Sequence, residues 1–261
     1  MRILITNDDG IMAPGLAVLT EIATTLAGPT GEVWTVAPQS EQSGVGHCIS
    51  YTKPVLVHEY GKMTFAVEGS PADCVLAALN DLMPQAPDLV LSGINKGNNA
   101  AENTMYSGTI GAAIEAAMAG IPAIALSQFY GPGNTNLDDS FEASRNHGVA
   151  TIQSCMAAGF TRANDYAMFY NVNFPPVSAA DVLGTKVVTQ GYRGDGAFGA
   201  QASKAPNGRK FLFMHGRPQQ APTQDGTDAA ANLAGYISVT PMRADLTARD
   251  HMDALAQVLD H

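Results

Sequence analysis

The 261-residue sequence has little of several features that mark particular classes of protein. Its three cysteines, Cys48, Cys74 and Cys155, are an odd number at wide spacing, which fits neither a disulfide framework nor a zinc site. Only 15% of the residues are charged, and 14 basic against 24 acidic residues give a net charge of −10. Because an acidic surface repels phosphate backbones, we expect no nucleic-acid polymer as a partner.

Long apolar runs are also missing from the sequence. None approaches the roughly 18–20 residues that a membrane-spanning helix needs. The N-terminal segment, residues 1–9, turns polar too early for a signal peptide. We therefore expect a cytoplasmic protein that has no contact with a membrane. The 46% of hydrophobic residues is enough for a sizeable core.

Short apolar strands alternate with amphipathic helices over the first two thirds of the chain. Strands are predicted at residues 2–6, 33–36, 88–92, 122–126 and 166–172, with a hairpin formed by residues 55–60 and 63–67. Helices are predicted at residues 14–26, 72–82, 110–119 and 141–157. This alternation predicts an α/β fold with a mostly parallel sheet that helices cover on both faces.

The pattern weakens after Pro175 and Pro176 and returns with a strand at residues 236–240 and a helix at residues 246–259. In between, only residues 186–190 and 210–215 are candidate strands. A long, weakly patterned segment inside a compact domain is usually functional or an interaction arm. We predict a single domain over residues 1–261, with a protruding arm at about residues 176–222.

Two acidic residues follow the first strand directly, in the segment Asn7-Asp8-Asp9-Gly10. Adjacent carboxylates repel each other, and a hard divalent cation would relieve that repulsion because such cations prefer oxygen ligands. The alternative is a simple turn, since Asn, Asp and Gly favour turns.

Three further polar segments share this position at a strand end or a helix start. Residues 37–47 follow the second strand, and residues 92–99 follow the third core strand, where Asn95 offers a neutral oxygen and Asn99 offers donors. Ser107, Gly108 and Thr109 open a helix, whose free N–H groups can bind an anion. Simple capping by Ser107 is the alternative there. Because a doubly wound sheet brings all four segments to one edge, the sequence predicts a metal-assisted phosphoryl site.

Six segments between residues 1 and 241 carry a resemblance to a known family. They are M-R-I-L-I-T-N-D-D-G at residues 1–10, Ala37-Pro38 with Gln42-Ser43-Gly44, G-S-P-A-D-C-V at residues 69–75, S-G-I-N at residues 92–95, Y-S-G-T at residues 106–109, and Thr227-Asp228 with G-Y-I-S-V-T-P at residues 235–241. Together they resemble the SurE family of 5′-nucleotidases. The resemblance implies a Rossmann-like three-layer α/β/α sandwich and a phosphatase that acts on nucleoside 5′-monophosphates, with 3′-monophosphates left open.

The resemblance also implies roles for individual residues. One divalent ion per subunit, Mg²⁺ or Mn²⁺, would be held by Asp8, Asp9, Ser43 and Asn95. The substrate phosphate would be held by Asn99, Ser107, Gly108 and Thr109. Asp8 or Asp9 would act in catalysis by orienting the attacking water or taking its proton. Family members are homodimers or homotetramers that exchange a C-terminal segment, which would account for the arm.

Some positions depart from the family pattern, and two other functions stay open. Ala100 and Ala101 stand where the family tends to have a glycine, and Asn103 stands near a position that is often acidic. One alternative is a phosphatase that forms an aspartyl phosphate, but that chemistry uses two acids separated by one residue. The other is a non-catalytic nucleotide or metabolite sensor, which would not need the acidic pair.

Overall fold

The computed structural model describes residues 1–163, 166–194 and 196–259. The strands, in chain order, are β1 (Arg2–Thr6), β2 (Glu32–Pro38), β3 (Val57–Gly61), β4 (Thr64–Val67), β5 (Leu89–Lys96), β6 (Ala123–Gln128), β7 (Arg162–Ala163), β8 (Tyr166–Ala167), β9 (Phe169–Phe174), β10 (Thr185–Val187), β11 (Phe198–Lys204), β12 (Lys210–Gly216) and β13 (Ile237–Met242). The α-helices are α1 (Pro14–Ala27), α2 (Pro71–Ala77), α3 (Gly108–Met118), α4 (Glu142–Ala158), α5 (Asp228–Leu233) and α6 (Met252–Leu259).

In the described part of the chain, nine strands form one sheet in the order β10-β13-β9-β6-β5-β1-β2-β4-β3. Within this sheet, as far as the structure describes it, only the β9–β13 and β3–β4 pairs are antiparallel. Ile3 and Ile5 of β1 share a core cluster with Leu19 of α1 and Ile152 of α4. Leu4 lies in a second cluster with residues of α2 and α3. Helices therefore cover both faces of the sheet, as the alternating pattern predicts.

The chain changes direction across the sheet next to β1. From β1 it moves to β2 on one side, while β5 pairs with β1 on the other side. The loops that follow β1 and β5 therefore leave the carboxyl ends of these two strands in opposite directions. The crevice between the loops is the place where open α/β sheets bind ligands. This topology brings the acidic loop and the Asn95 loop to one place.

The structure corrects several of the predicted elements. The segment at residues 198–204 forms β11, although its alternating small and polar residues carry no strand signal and its pairing comes from β12. Helix α5 was not predicted, because it is only six residues long. The last helix begins at Met252 instead of residue 246, and the predicted strand at residues 186–190 is reduced to Thr185–Val187. The predicted strand at residues 166–172 divides into β8 and β9, and β9 alone joins the main sheet.

Among the described residues, no helix combines the length and the hydropathy that a membrane span requires. The cytoplasmic location and the arm at about residues 176–222 stay predictions from the sequence.

A close contact between α1 and β5 yields a test of the packing. A Cβ atom built on Gly15 would lie 1.9 Å from the carbonyl oxygen of Ile94. Gly15→Ala should therefore lower the free energy of unfolding by about 3 kcal/mol or more, since a backbone atom cannot move aside cheaply. Helix propensity alone would predict stabilisation of about 1 kcal/mol. Urea unfolding measures the difference.

Gly216→Ala is the matched control, because a Cβ built there has no neighbour within 4 Å. Its free energy of unfolding should stay within about 0.5 kcal/mol of the wild-type value. A stability of Gly15→Ala equal to that of the control would contradict the proposed close approach.

Candidate active site

The acidic loop is a tight turn closed by its own first residue. The Asn7 side chain donates to the carbonyl oxygen of Gly10 at 2.8 Å and accepts from the Gly10 N–H at 3.2 Å. Gly10 has a φ of 101°, which favours glycine at this position. Residues 7–10 thus form a turn, as the alternative interpretation of this segment predicts. The turn holds Asp8 and Asp9 at the carboxyl end of β1.

Asp8 is almost fully buried beside the first turn of α3. Its Oδ1 accepts a hydrogen bond from the Thr109 hydroxyl at 2.7 Å. Burial raises the pKa of Asp8 to about 6, although the Thr109 hydrogen bond lowers it and the neighbouring Asp9 charge raises it. An ionised Asp8 is therefore unfavourable without a further positive partner.

Asp9 is half-buried, and the charge of a second acidic side chain acts on it. Burial and the charge of Glu41 raise the pKa of Asp9, while the Lys96 N–H, which donates to its Oδ2 at 3.0 Å, lowers that pKa. Two adjacent carboxylates with raised pKa values are the arrangement that a bound cation would stabilise.

The loop after β5 supplies a neutral oxygen to the same place. The Asn95 amide nitrogen donates to the carbonyl oxygen of Gly97 at 2.9 Å, so its amide oxygen is the atom that can face a cation. Ser43, in the loop after β2, donates its hydroxyl to Glu41 at 2.7 Å. Asp8, Ser43 and Asn95 line one cavity.

This cavity contains five of the eight predicted site residues: Asp8, Ser43, Asn95, Asn99 and Ser107. The other three lie directly behind or beside Asp8. Asp9 follows it in the chain, Thr109 donates to it, and a Cβ built on Gly108 would lie 3.0 Å from the Asp8 Cβ. Gly108 and Thr109 therefore contact Asp8. They also belong to the helix start, for which the sequence predicts phosphate binding.

Ser107 caps α3 and also lines the cavity. Its Oγ accepts a hydrogen bond from the Ile110 N–H at 3.1 Å. This bond does not use the hydroxyl hydrogen, which can donate to another acceptor. The N-terminus of this eleven-residue helix thus opens beside the acidic pair. The acidic pair and the start of α3 are therefore neighbours, and the start of a helix is a place where anions bind.

A buried amide network behind the cavity was not predicted from the sequence. Asn99 donates its backbone N–H to Asn173 at 2.7 Å and accepts from the Asn171 side chain at 2.8 Å. The Asn99 amide nitrogen donates to the Ser127 hydroxyl at 2.9 Å. Both β9 asparagines are fully buried in the segment F-Y-N-V-N-F. Asparagines that alternate with apolar residues inside an apolar strand are the sequence signal for this network.

Asn98 is a further cavity residue that sequence reasoning missed. It is 1% exposed, and its amide nitrogen has no hydrogen-bond partner among the residues that the structure describes. A buried donor without an acceptor is costly, so Asn98 is a candidate donor to a group bound at the cavity. The sequence offers no signal that separates Asn98 from the other asparagines in its loop.

Residues at the two ends of the β11–β12 hairpin form the remaining wall of the cavity. Phe198, Gly216, Arg217 and Gln219 line it together with the strand-end loops. The segment before β11 is held against the loop after β5, because the Arg193 guanidinium pairs with Glu102 and donates to the carbonyl oxygen of Ala100 at 3.1 Å. No sequence pattern predicted these contacts, which join distant parts of the chain.

The family model described as Survival protein SurE matches residues 3–196. The chain belongs to the SurE family. It is 62% identical over 263 residues to the protein named 5′-nucleotidase SurE of Jannaschia sp., with 100% of both chains covered. It is 61% identical over 259 residues to the 5′-nucleotidase SurE of Roseobacter denitrificans, with 99% of each chain covered. The crystal structure of the SurE protein from Aquifex aeolicus aligns with a TM-score of 0.79 and 34% identity, covering 98% of this chain and 99% of that one.

The comparisons with SurE proteins confirm the resemblance, the mostly parallel α/β fold and the expectation of a phosphatase-type enzyme at the level of the family. They do not assign individual residues, so the metal and phosphate roles stay predictions. Within the described residues, no group of three His, Cys, Asp or Glu side chains forms a metal cluster. The predicted SurE ligand set has only two carboxylates and depends on Ser43 and Asn95 for its other oxygens.

The contact between Thr109 and Asp8 provides a test of this site. Thr109→Val keeps the shape of the side chain but removes the hydroxyl that donates to a buried carboxylate. We expect the free energy of unfolding to fall by about 1.5–3 kcal/mol, the range for hydrogen bonds to charged groups. Urea unfolding at pH 8 in the presence of a chelator measures it.

Thr109→Ser retains the hydroxyl and serves as the control, with a loss of less than about 1 kcal/mol expected from the missing methyl group. Equal stabilities of the Val and Ser variants would show that the hydrogen bond to Asp8 contributes nothing.

Proposed function

We propose that the chain is a divalent-metal-dependent phosphatase that hydrolyses nucleoside 5′-monophosphates to nucleoside and phosphate. The observation that carries the proposal is the pair Asp8 and Asp9, held at the crevice beside the start of α3. Relatives named 5′-nucleotidase that match over the whole chain support the nucleotide as substrate. The 3′-monophosphates form a second substrate class that the same assay tests.

The donor set at the crevice fits a hard divalent cation. We propose that one Mg²⁺ or Mn²⁺ per subunit is held by Asp8, Asp9, Ser43 and Asn95, since both ions prefer oxygen ligands. The raised pKa values of the two carboxylates support this assignment, because a cation stabilises their ionised forms. When bound, the ion would neutralise charge on the phosphate and lower the pKa of a coordinated water.

The remaining steps belong to side chains of this protein. The start of α3 and the unpartnered amide nitrogen of Asn98 would donate to the phosphate oxygens. The Ser107 hydroxyl and Asn99 would add further donors. Asp8 or Asp9 would orient the attacking water or take its proton, and the Thr109 hydroxyl would keep Asp8 in position.

Phosphate release from AMP, GMP and the corresponding 3′-monophosphates tests the proposal. Wild-type protein should release phosphate with Mg²⁺ or Mn²⁺ and should stop when the ion is chelated. Asp8→Asn should lower kcat/KM by about a hundredfold or more, as expected for loss of an acid–base or ligand group. Its free energy of unfolding should not fall, because the amide carries no charge to bury.

Asp138→Asn provides the matched control, since Asp138 is exposed and lies outside the cavity. It should keep wild-type turnover. Absence of phosphate release with every divalent ion, together with nucleotide binding, would favour the sensor. A trapped phosphoenzyme would favour the aspartyl-phosphate alternative.

We also propose that the protein is a homodimer or homotetramer and that its arm is exchanged between protomers. Support comes from the hairpin of β11 and β12, an isolated two-stranded sheet with strongly exposed side chains at Phe211, Leu212, Phe213 and Met214. A two-stranded hairpin is marginally stable alone, and a ribbon with apolar side chains on both faces needs a covering surface.

Replacing Phe211 and Phe213 together by Ser tests the association. The two rings lie on one face of β12, opposite Ser203 and Gln201 of β11. Sedimentation velocity should show a dimer or tetramer for the wild type and a large shift toward monomer for the double variant, because apolar burial drives association. Gln201→Ser, on the same face, should leave the assembly unchanged. A wild-type monomer would contradict the proposal.

A further inference from the structure

Two half-exposed aromatic rings stand at the rim of the candidate active site. Tyr106 is 44% exposed and Phe198 is 45% exposed, and both line the cavity that contains Asp8. Their ring centroids are 4.9 Å apart, with an angle of 69° between the planes, so the edge of one ring meets the face of the other. Single exposed apolar residues are common on protein surfaces, but two rings in contact at a polar cavity need a reason.

Backbone contacts hold both rings at the rim. The Tyr106 carbonyl accepts from the Gly46 N–H at 2.9 Å, and its own N–H donates to Asn103 at 3.1 Å. Phe198 begins β11 opposite Gly216, at the base of the arm. The rings are thus positioned by their main chains while much of their surface stays open to the cavity.

The position of Tyr106 connects this aromatic pair to the phosphate end of the site. Tyr106 directly precedes Ser107, which caps α3 and lines the same cavity. A ligand with its phosphate at the helix start would extend into the cavity that the two rings also line. Aromatic faces stack on purines and pyrimidines with little regard to base identity.

We propose that Tyr106 and Phe198 form a nucleobase-binding platform, which rests on the proposed nucleotide phosphatase function. Stacking on the platform would favour nucleotides over sugar phosphates that lack a base. It would also give a broad preference among bases, because stacking does not read the hydrogen-bonding edge. Since Phe198 lies at the end of the arm hairpin that stays beside the Asp8 cavity, this end of the arm would contribute directly to substrate binding.

Steady-state kinetics with AMP and ribose 5-phosphate tests the platform, because the two substrates differ by the base. Phe198→Leu and Tyr106→Leu should each lower kcat/KM for AMP by about tenfold, mainly through KM, as expected for loss of one stacking contact. The fall with ribose 5-phosphate should be much smaller. Tyr106→Phe keeps the ring and should retain the AMP preference.

Tyr51→Leu is the control, since Tyr51 is 88% exposed and lines none of the described cavities. Equal losses with the two substrates, or no loss with AMP, would overturn the platform. If the wild type hydrolyses neither substrate, the proposed function fails separately. In that case, calorimetry measures the Kd of the wild type and of the same variants for AMP and for ribose 5-phosphate. A loss of affinity confined to AMP supports the platform, and variants that bind AMP as tightly as the wild type overturn it.

Discussion

The site depends on one constraint, the burial of the Asp8 carboxylate against the start of α3. A parallel sheet delivers this residue to the end of β1, where the Thr109 hydroxyl contacts it at 2.7 Å. Burial raises the pKa of the carboxyl group, and the adjacent Asp9 adds a like charge. The fold thus maintains an unfavourable concentration of negative charge that a divalent ion would relieve. Such an ion would in turn allow an acidic protein to hold a phosphate, because its positive charge reverses the local field.

Neutral amides support this charged centre without adding to its charge. The β9 asparagines, Asn171 and Asn173, hold the backbone of Asn99 from behind. Polar groups buried in this way are stable only when they are hydrogen-bonded, and here they bond to one another and to the backbone. The resulting network anchors the loop after β5, and the Lys96 N–H at the end of β5 donates to Asp9. Rigid support of this kind is what a site needs to align a phosphate with an attacking water.

The β11–β12 hairpin would link the proposed assembly to the proposed substrate site. Strand β12 of this hairpin exposes four apolar side chains, Phe211 to Met214, whereas the two ends of the hairpin line the cavity next to Asn98. The ion pair between Arg193 and Glu102 fixes the segment before β11 to the loop after β5. A change in the position of the arm would therefore alter the cavity wall, since Phe198 moves with it. The proposed oligomerisation and the proposed catalysis would in this way be connected through one segment of chain.

The sequence by itself determined the alternation of strands and helices, and with it the sheet edge that gathers Asp8, Asn95 and Ser107, because strand ends and helix caps depend on local patterns. It did not reveal β11, whose pairing comes from β12, or the contact of Phe198 with the cavity. These features depend on residues far apart in the chain, and local propensity carries no record of such partners. The tertiary structure alone decided which polar side chains are buried, and burial is what separates Asp8 and Asn98 from other residues of the same type.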